Sequence, residues 1–312
     1  MPTTEGPGPE FQSLAVPVDG SDFAEQALPL ATRIALATRA RVRLLLVHQP
    51  PAVPLASGAE RAYAALDRQT EEAEVAYLQR LARRLEEAGV ARVEASVLSG
   101  PVSDALEAEV DRWGADLVVM STHGRGGLGR FWLGSVADRL LHAVTVPLLL
   151  VRPTAEGAAP SPAGIERIIV PLDGSALARS ALEPAAALAA LFGAELHLIR
   201  VVPPTLYVAA AVDLPYVYDP ALDAALEREA AEHLAAQAAA LRSRGLRVVT
   251  QVDRNPVVAH AVLDAAEARS GAVVCLATHG RAGAGRVFLG SVADKLVRGA
   301  SCPVLVWRSP AG

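Results

Sequence analysis

The chain has 312 residues, room for two ordinary domains, and its 52 % hydrophobic but only 4 % aromatic content calls for cores built of Ala, Val and Leu. A formal net charge of −5 gives no electrostatic pull toward nucleic acid or anionic lipid. Cys275 and Cys302 form neither a disulfide framework nor a metal-site pattern, and no apolar run approaches the roughly 18 residues of a membrane span. Residues 1–10 lack the apolar centre of a signal peptide, so a cytoplasmic protein in a reducing compartment is expected.

Taken in chain order, residues 14–18 form a short apolar run that leads into Asp19, Gly20 and Ser21. Further runs at 42–47, 93–98, 117–120 and 146–151 are also short, apolar and rich in branched side chains, the signature of strands buried on both faces. Helix-length segments separate them. The clearest covers residues 63–88, where Leu78, Leu81 and Leu85 recur at helical spacing and Gly89 supplies a stop. A glycine-rich segment from Gly124 follows the fourth run, and a helix is expected over 136–143. The plan then repeats, with strands expected at 168–172, 196–202, 248–252, 273–276 and 304–307.

The repetition extends to the words themselves. VPVDGS at 16–21 returns as VPLDGS at 170–175, 154 residues on. THGRGGLGRFWLGSVAD at 122–138 returns as THGRAGAGRVFLGSVAD at 278–294, 156 residues on, with 13 of the 17 positions identical. Two matches in the same order at nearly the same offset mean a duplicated domain. The expected organisation is a first domain over 11–152, a linker rich in Pro, Ala and Gly over 153–164, and a second domain over 165–309. Five alternations of strand and helix imply an α/β fold, two tandem doubly wound domains each with a five-stranded parallel sheet flanked by helices. The order 3-2-1-4-5 would bring the turn after strand one and the glycine segment after strand four to one crevice.

That crevice holds the candidate chemistry. Gly124, Gly127, Gly129 and Gly134 let the backbone curl with its N–H groups turned inward, and the helix that opens after Gly134 and Ser135 favours an anion at its start. Gly280, Gly283, Gly285, Gly290 and Ser291 repeat the arrangement. A second reading is local: Ser135 with Asp138, and Ser291 with Asp294, spell an S-x-x-D capping box. Asp19 and Asp173 suit a ribose hydroxyl or an adenine amine as well as an ordinary turn. Arg125, Arg130, Arg281 and Arg286 suit phosphate or solvent. His123 and His279 have no second acid or nucleophile beside them and read as structural. Gly124, Gly126 and Gly129 spell G-x-G-x-x-G, but after the fourth strand and with Ala282 breaking the second copy, so a dinucleotide fingerprint is not expected. No P-loop motif occurs.

VPVDGS on the first strand, THGRGGLGRFWLGS late in the domain and a last strand beginning VP resemble the universal stress protein family, twice over, from Leu14 to Arg308. ATP-binding members of that family carry G-x-x-G, nine residues, then G-[ST]. Gly124, Gly134 and Ser135 match it, as do Gly280, Gly290 and Ser291, whereas Ser121 and Ala277 replace the first glycine. The resemblance implies that Asp19 or Asp173 contacts the nucleoside, together with backbone atoms near His48 and Val201. The strand ends Pro17, Val18, Pro171 and Leu172 and the helix starts Val136 and Val292 complete the implied site. The function it implies is an ATP-binding stress regulator or chaperone-like protein without dedicated catalysis, with Mg2+ an optional companion and no metal site of its own. A slow ATP-using enzyme and a nucleotide-free interaction module are the alternatives. The partners expected are adenine nucleotide and the other copy, paired through the last strands, with a further homodimer left open and no nucleic acid or membrane.

Overall fold

The computed structural model describes residues 11–50, 60–123, 133–153, 164–205, 220–279 and 289–309. It divides into two compact units, Phe11–Pro160 and a second that takes in Ser161–Gly312.

The first unit runs β1 (Ser13–Pro17), α1 (Asp22–Glu25), α2 (Leu28–Thr38), β2 (Arg41–His48), α3 (Glu60–Glu87), β3 (Val93–Ser99), α4 (Val102–Trp113), β4 (Leu117–Ser121), α5 (Ser135–Ala143) and β5 (Leu148–Val151). All its strands are parallel, in the order β3-β2-β1-β4-β5. The sheet centre is wholly apolar: Leu14, Val16, Leu44, Leu117 and Val118 are each 0 % exposed. A buried leucine of this kind contributes about 1.5–3 kcal/mol relative to exposure. α3 is amphipathic, burying only Leu78, Leu81 and Leu85 along its length. It stops at Gly89, whose φ of +101° is a conformation glycine adopts without strain, and Val90 N–H then donates back to the Leu85 carbonyl at 3.0 Å.

The second unit repeats the plan with β6 (Arg167–Pro171), α6 (Ala176–Arg179), α7 (Leu182–Phe192), β7 (Glu195–Val201), α8 (Pro220–Ser243), β8 (Val248–Asp253), α9 (Val258–Glu267), β9 (Ala272–His279), α10 (Ser291–Gly299) and β10 (Val304–Ser309). Its parallel order is β8-β7-β6-β9-β10. The fold class and strand order expected from the sequence hold in both units. β9 and β10 outrun the expected 273–276 and 304–307, because the ladder continues through the polar pairs Thr278↔Arg308 and His279↔Ser309. Apolar patterning ends before the hydrogen bonding does.

Strand pairing also locates the change of offset between the copies. Pro17 pairs with Leu45 and Pro171 with Ile199, so both strands of each pair keep the 154-residue offset. Gly89 and Gly245, which stop α3 and α8 with matching backbone bonds, are 156 residues apart. The two extra residues therefore enter between β7 and the stop of α8.

Candidate functional site

In the first unit β1 and β4 lie side by side, Leu14 opposite Leu117, so the segments leaving their carboxyl ends emerge together. After Pro17, Val18 N–H still donates to the Leu45 carbonyl at 2.8 Å, which keeps the chain on the sheet up to Asp19. Gly20 then takes φ +84°, and the half-buried Asp19 carboxylate accepts from Ser21 N–H at 3.0 Å and Ser21 Oγ at 2.6 Å. That is the turn reading of Asp19, and it orients the carboxylate at the sheet edge. Beyond β4, Ser121 Oγ donates to the His123 carbonyl at 2.8 Å and accepts from His123 N–H at 3.3 Å. The extra side-chain oxygen at this position thus shapes its own turn. His123 is buried, with Nδ1 2.9 Å from Thr122 Oγ1. Gly124, Arg125 and Gly127 lie outside the described residues.

The chain returns at α5. Gly134 is the N-cap, with φ −56° and ψ 147°, and its N–H donates to the Thr122 carbonyl at 2.8 Å. A β-carbon on Gly134 would stand 2.9 Å from that same oxygen, so glycine is required here by close approach and not by a positive φ. Ser135 is the first helical residue, exposed, and Val136 is half-buried. The capping-box reading of Ser135 does not hold: no side chain caps this helix, because the extended Gly134 occupies the cap position one residue earlier.

The second unit places its candidates in the same way with different surroundings. Leu172 N–H donates to the Ile199 carbonyl at 2.8 Å, Gly174 takes φ +91°, and Asp173 accepts from Ser175 N–H at 2.8 Å. Burial works against the Asp173 charge, but the Ser175 hydroxyl and amide outweigh it and hold its pKa below the ordinary carboxylate value. Pro171 ends β6, and Ala277 lies within β9, where it pairs with Trp307. Gly280, Arg281 and Gly283 lie outside the described residues. Gly290 caps α10 with φ −60° and ψ 154°, and among the described residues nothing approaches within 4 Å of where its β-carbon would be. Ser291 opens α10 as an exposed first residue, with Val292 half-buried behind it. Here too no capping box forms; Asp294 accepts from Arg298 Nε at 2.8 Å. Thr278 Oγ1 accepts from the buried Arg308 at 3.1 Å.

At the ends of the second strands, register corrects one expected correspondence. Val47 pairs with Leu98, as Val201 does with Asp253, so the partner of His48 in the second copy is Val202 and not Val201. His48 is buried, with Nδ1 2.7 Å from Glu74 and Nε2 3.1 Å from Asp67, both on α3. The bond to Glu74 does most to raise its pKa; burial opposes and Asp67 adds. In the second unit the corresponding tie runs through Asp223 of α8, which is buried, accepts from Thr205 N–H at 3.1 Å and Oγ1 at 2.7 Å, and pairs with Arg254.

The sequence model of the universal stress protein family matches residues 10–152 and again 164–308. The chain belongs to the universal stress protein family. A universal stress protein of Thermus aquaticus is 35 % identical over 142 residues, 46 % of this chain and 99 % of its own. A universal stress protein of Mycobacterium tuberculosis is 30 % identical over 239 residues, 74 % of this chain and 75 % of its own. The crystal structure of a universal stress protein from Archaeoglobus fulgidus superposes with a TM-score of 0.67 at 19 % identity, covering 96 % of this chain and 98 % of that one, a likeness of fold.

Sequence reasoning missed the groups that this universal stress protein fold packs around each aspartate. Tyr77 of α3 and His233 of α8 stand at the same distance before their helix stops, Gly89 and Gly245. Burial, Glu25 and Asp19 all raise the Tyr77 pKa. Burial lowers that of His233, as do Arg200 and Arg179, against Asp173 and Glu229. Aligning the two helices on their stopping glycines would have revealed the pair. Among the described residues no helix is long and apolar enough to cross a membrane, and no group of three or more His, Cys, Asp or Glu could hold a metal ion.

Proposed function

We propose that each unit binds ATP at the carboxyl edge of its sheet and that the protein acts as a cytoplasmic stress-response regulator or chaperone-like protein, not as a dedicated catalyst. One observation carries this reading. Ser135 and Ser291 each stand as the exposed first helical residue behind a glycine cap, and no side-chain cap bond takes up the first-turn N–H groups among the described residues. Such a helix start favours a phosphate. Asp19 and Asp173 would take the ribose or base, and Gly124 to Gly134 and Gly280 to Gly290 the phosphates, with Mg2+ neutralising them where present. Membership of the family adds support, since its model matches both copies and each keeps the motif's later glycines and serine.

A second reading has its own observation. In the first unit Gly134 N–H is already bonded to Thr122, and Ser121 Oγ to His123. If those bonds persist, the first unit is a nucleotide-free partner and only the second binds. Mass spectrometry of the gently purified protein identifies any nucleotide carried along, and calorimetry counts sites: two per chain under the first reading, one under the second. Ser291→Ala should weaken the second site about ten-fold, the loss of one hydrogen bond to a charged group. No adenine nucleotide bound at all, or phosphate release at a typical enzymatic rate of about 1 per second, would reject the proposal.

A further inference from the structure

The surroundings of Asp173 differ in kind from those of Asp19. Arg179 stands where the first unit has Glu25, Arg200 where it has Leu46, and His233 where it has Tyr77. One acid, one alkyl chain and one phenol are replaced by two guanidiniums and an imidazole around an aspartate that both units keep. Each change is in the basic direction, and all three converge on one place.

That place holds polar groups that the described residues leave largely unused. Arg200, at the end of β7, lies over the turn, its Nη1 3.7 Å from where a Gly174 β-carbon would be. Among the described residues its one ion pair is a long contact of 3.4 Å to Glu229, which is itself mostly exposed. Arg179, the last residue of α6, is exposed and makes no hydrogen bond or ion pair among the described residues. Both ring nitrogens of His233 are buried, and among the described residues neither has a hydrogen-bond partner. A buried donor and acceptor left without partners are costly, and native structures keep them where something else completes them.

We propose that Arg179, Arg200 and His233 form an anion subsite in the second unit that takes a tetrahedral dianion, a phosphate group either free or carried on the ribose of a nucleotide held at Asp173. Two guanidiniums supply planar donors to a phosphate, and the imidazole supplies a buried N–H. The charged groups around the ring are Arg200 on β7, Arg179 on α6, Asp173 in the turn and Glu229 on α8. Without a ligand, burial and the two arginines lower the ring's pKa below the ordinary histidine value. A bound dianion reverses that field, so the ring takes up a proton and binding strengthens as pH falls. The subsite goes beyond the ATP reading and is tested without ATP.

The test is NMR of the histidine ring signals in the full chain, with the His233 signal assigned by its loss in His233→Gln. Sulfate serves as the probe for pH dependence because it remains a dianion throughout, with sodium chloride at equal ionic strength as the control. The His233 signal should shift saturably with sulfate, its titration midpoint should rise by about one unit, and affinity should be about ten-fold tighter at pH 6 than at pH 8. Arg200→Leu and Arg179→Glu, which install the first unit's residues, should each abolish the response while the His48 signal stays in place as a check on folding. Inorganic phosphate and adenosine 3′-phosphate then distinguish the source. Tighter binding of the nucleotide assigns the phosphate to a ribose, and equal binding assigns free phosphate. A His233 signal unmoved by sulfate, or a shift that survives both arginine substitutions, overturns the proposal.

Discussion

Gly134 and Gly290 occupy the same word of the sequence for different physical reasons. Around Gly134 the backbone has closed: its N–H bonds to Thr122, and a β-carbon would stand 2.9 Å from that carbonyl. Around Gly290 no described residue comes within 4 Å of the corresponding position, and the Thr278 hydroxyl accepts from Arg308. One glycine is needed for packing within the protein, while the other meets no such constraint among the described residues. A repeated motif therefore does not guarantee a repeated role, and the contacts of each copy must be read separately.

The largest test of this contrast is a pair of substitutions. Gly134→Ala forces a side-chain carbon against a backbone oxygen and should cost about 1–3 kcal/mol, as overpacking does. Gly290→Ala meets no described residue and should lose at most about 1 kcal/mol of cap preference. Denaturant unfolding of the two variants measures the difference, and equal losses would erase it.

A smaller effect separates the units by pH. The folded pKa of His48 is raised above 6.5, mainly through Glu74, so its tie to α3 stabilises fully below about pH 6.5 and fades as pH rises through the raised value. His48→Gln should cost about 1 kcal/mol near pH 6 and less near pH 9, seen in unfolding curves at the two pH values. The second unit holds its long helix through Asp223, whose pKa is lowered chiefly by Thr205, so that tie is present at neutral pH and is lost only as pH falls through the lowered value. A pH-independent cost for His48→Gln would refute the assignment of the clamp.

The smallest effect lies at the position where the family's first glycine is replaced. Ser121→Ala removes two local hydrogen bonds of the turn and should destabilise by about 0.5–1.5 kcal/mol. Ala277→Ser, inside a strand with no such turn, should stay within about 0.5 kcal/mol. Parallel losses at both positions would show that the two turns are alike after all.

The strands were legible in the sequence because a strand buried on both faces is an uninterrupted apolar run, as at Leu117 to Met120. The polar ends of β9 and β10 were not, since backbone pairing continues where side-chain burial stops. The aspartate turn and the helix starts stood out by repetition. The capping box misled because S-x-x-D is spelled the same way whether the serine is the cap or the first helical residue; only the φ and ψ of Gly134 and Gly290 decide it. Glu74 and Asp67 beside His48, and Arg200 beside His233, were hidden because they meet across a crossover, where distance along the chain carries no information about distance in space.

The second copy is two residues longer than the first between β7 and the stop of α8; the register then places β8 155 residues after β3, and β9 returns to 156 after β4. A right-handed crossover in a parallel sheet can absorb such an insertion because only its ends are fixed by the ladder. Duplication inside one reading frame also locks the two copies to equal dosage, whatever the level of expression. The length of a single connection can then differ between the copies while both are still made together in the same molecule.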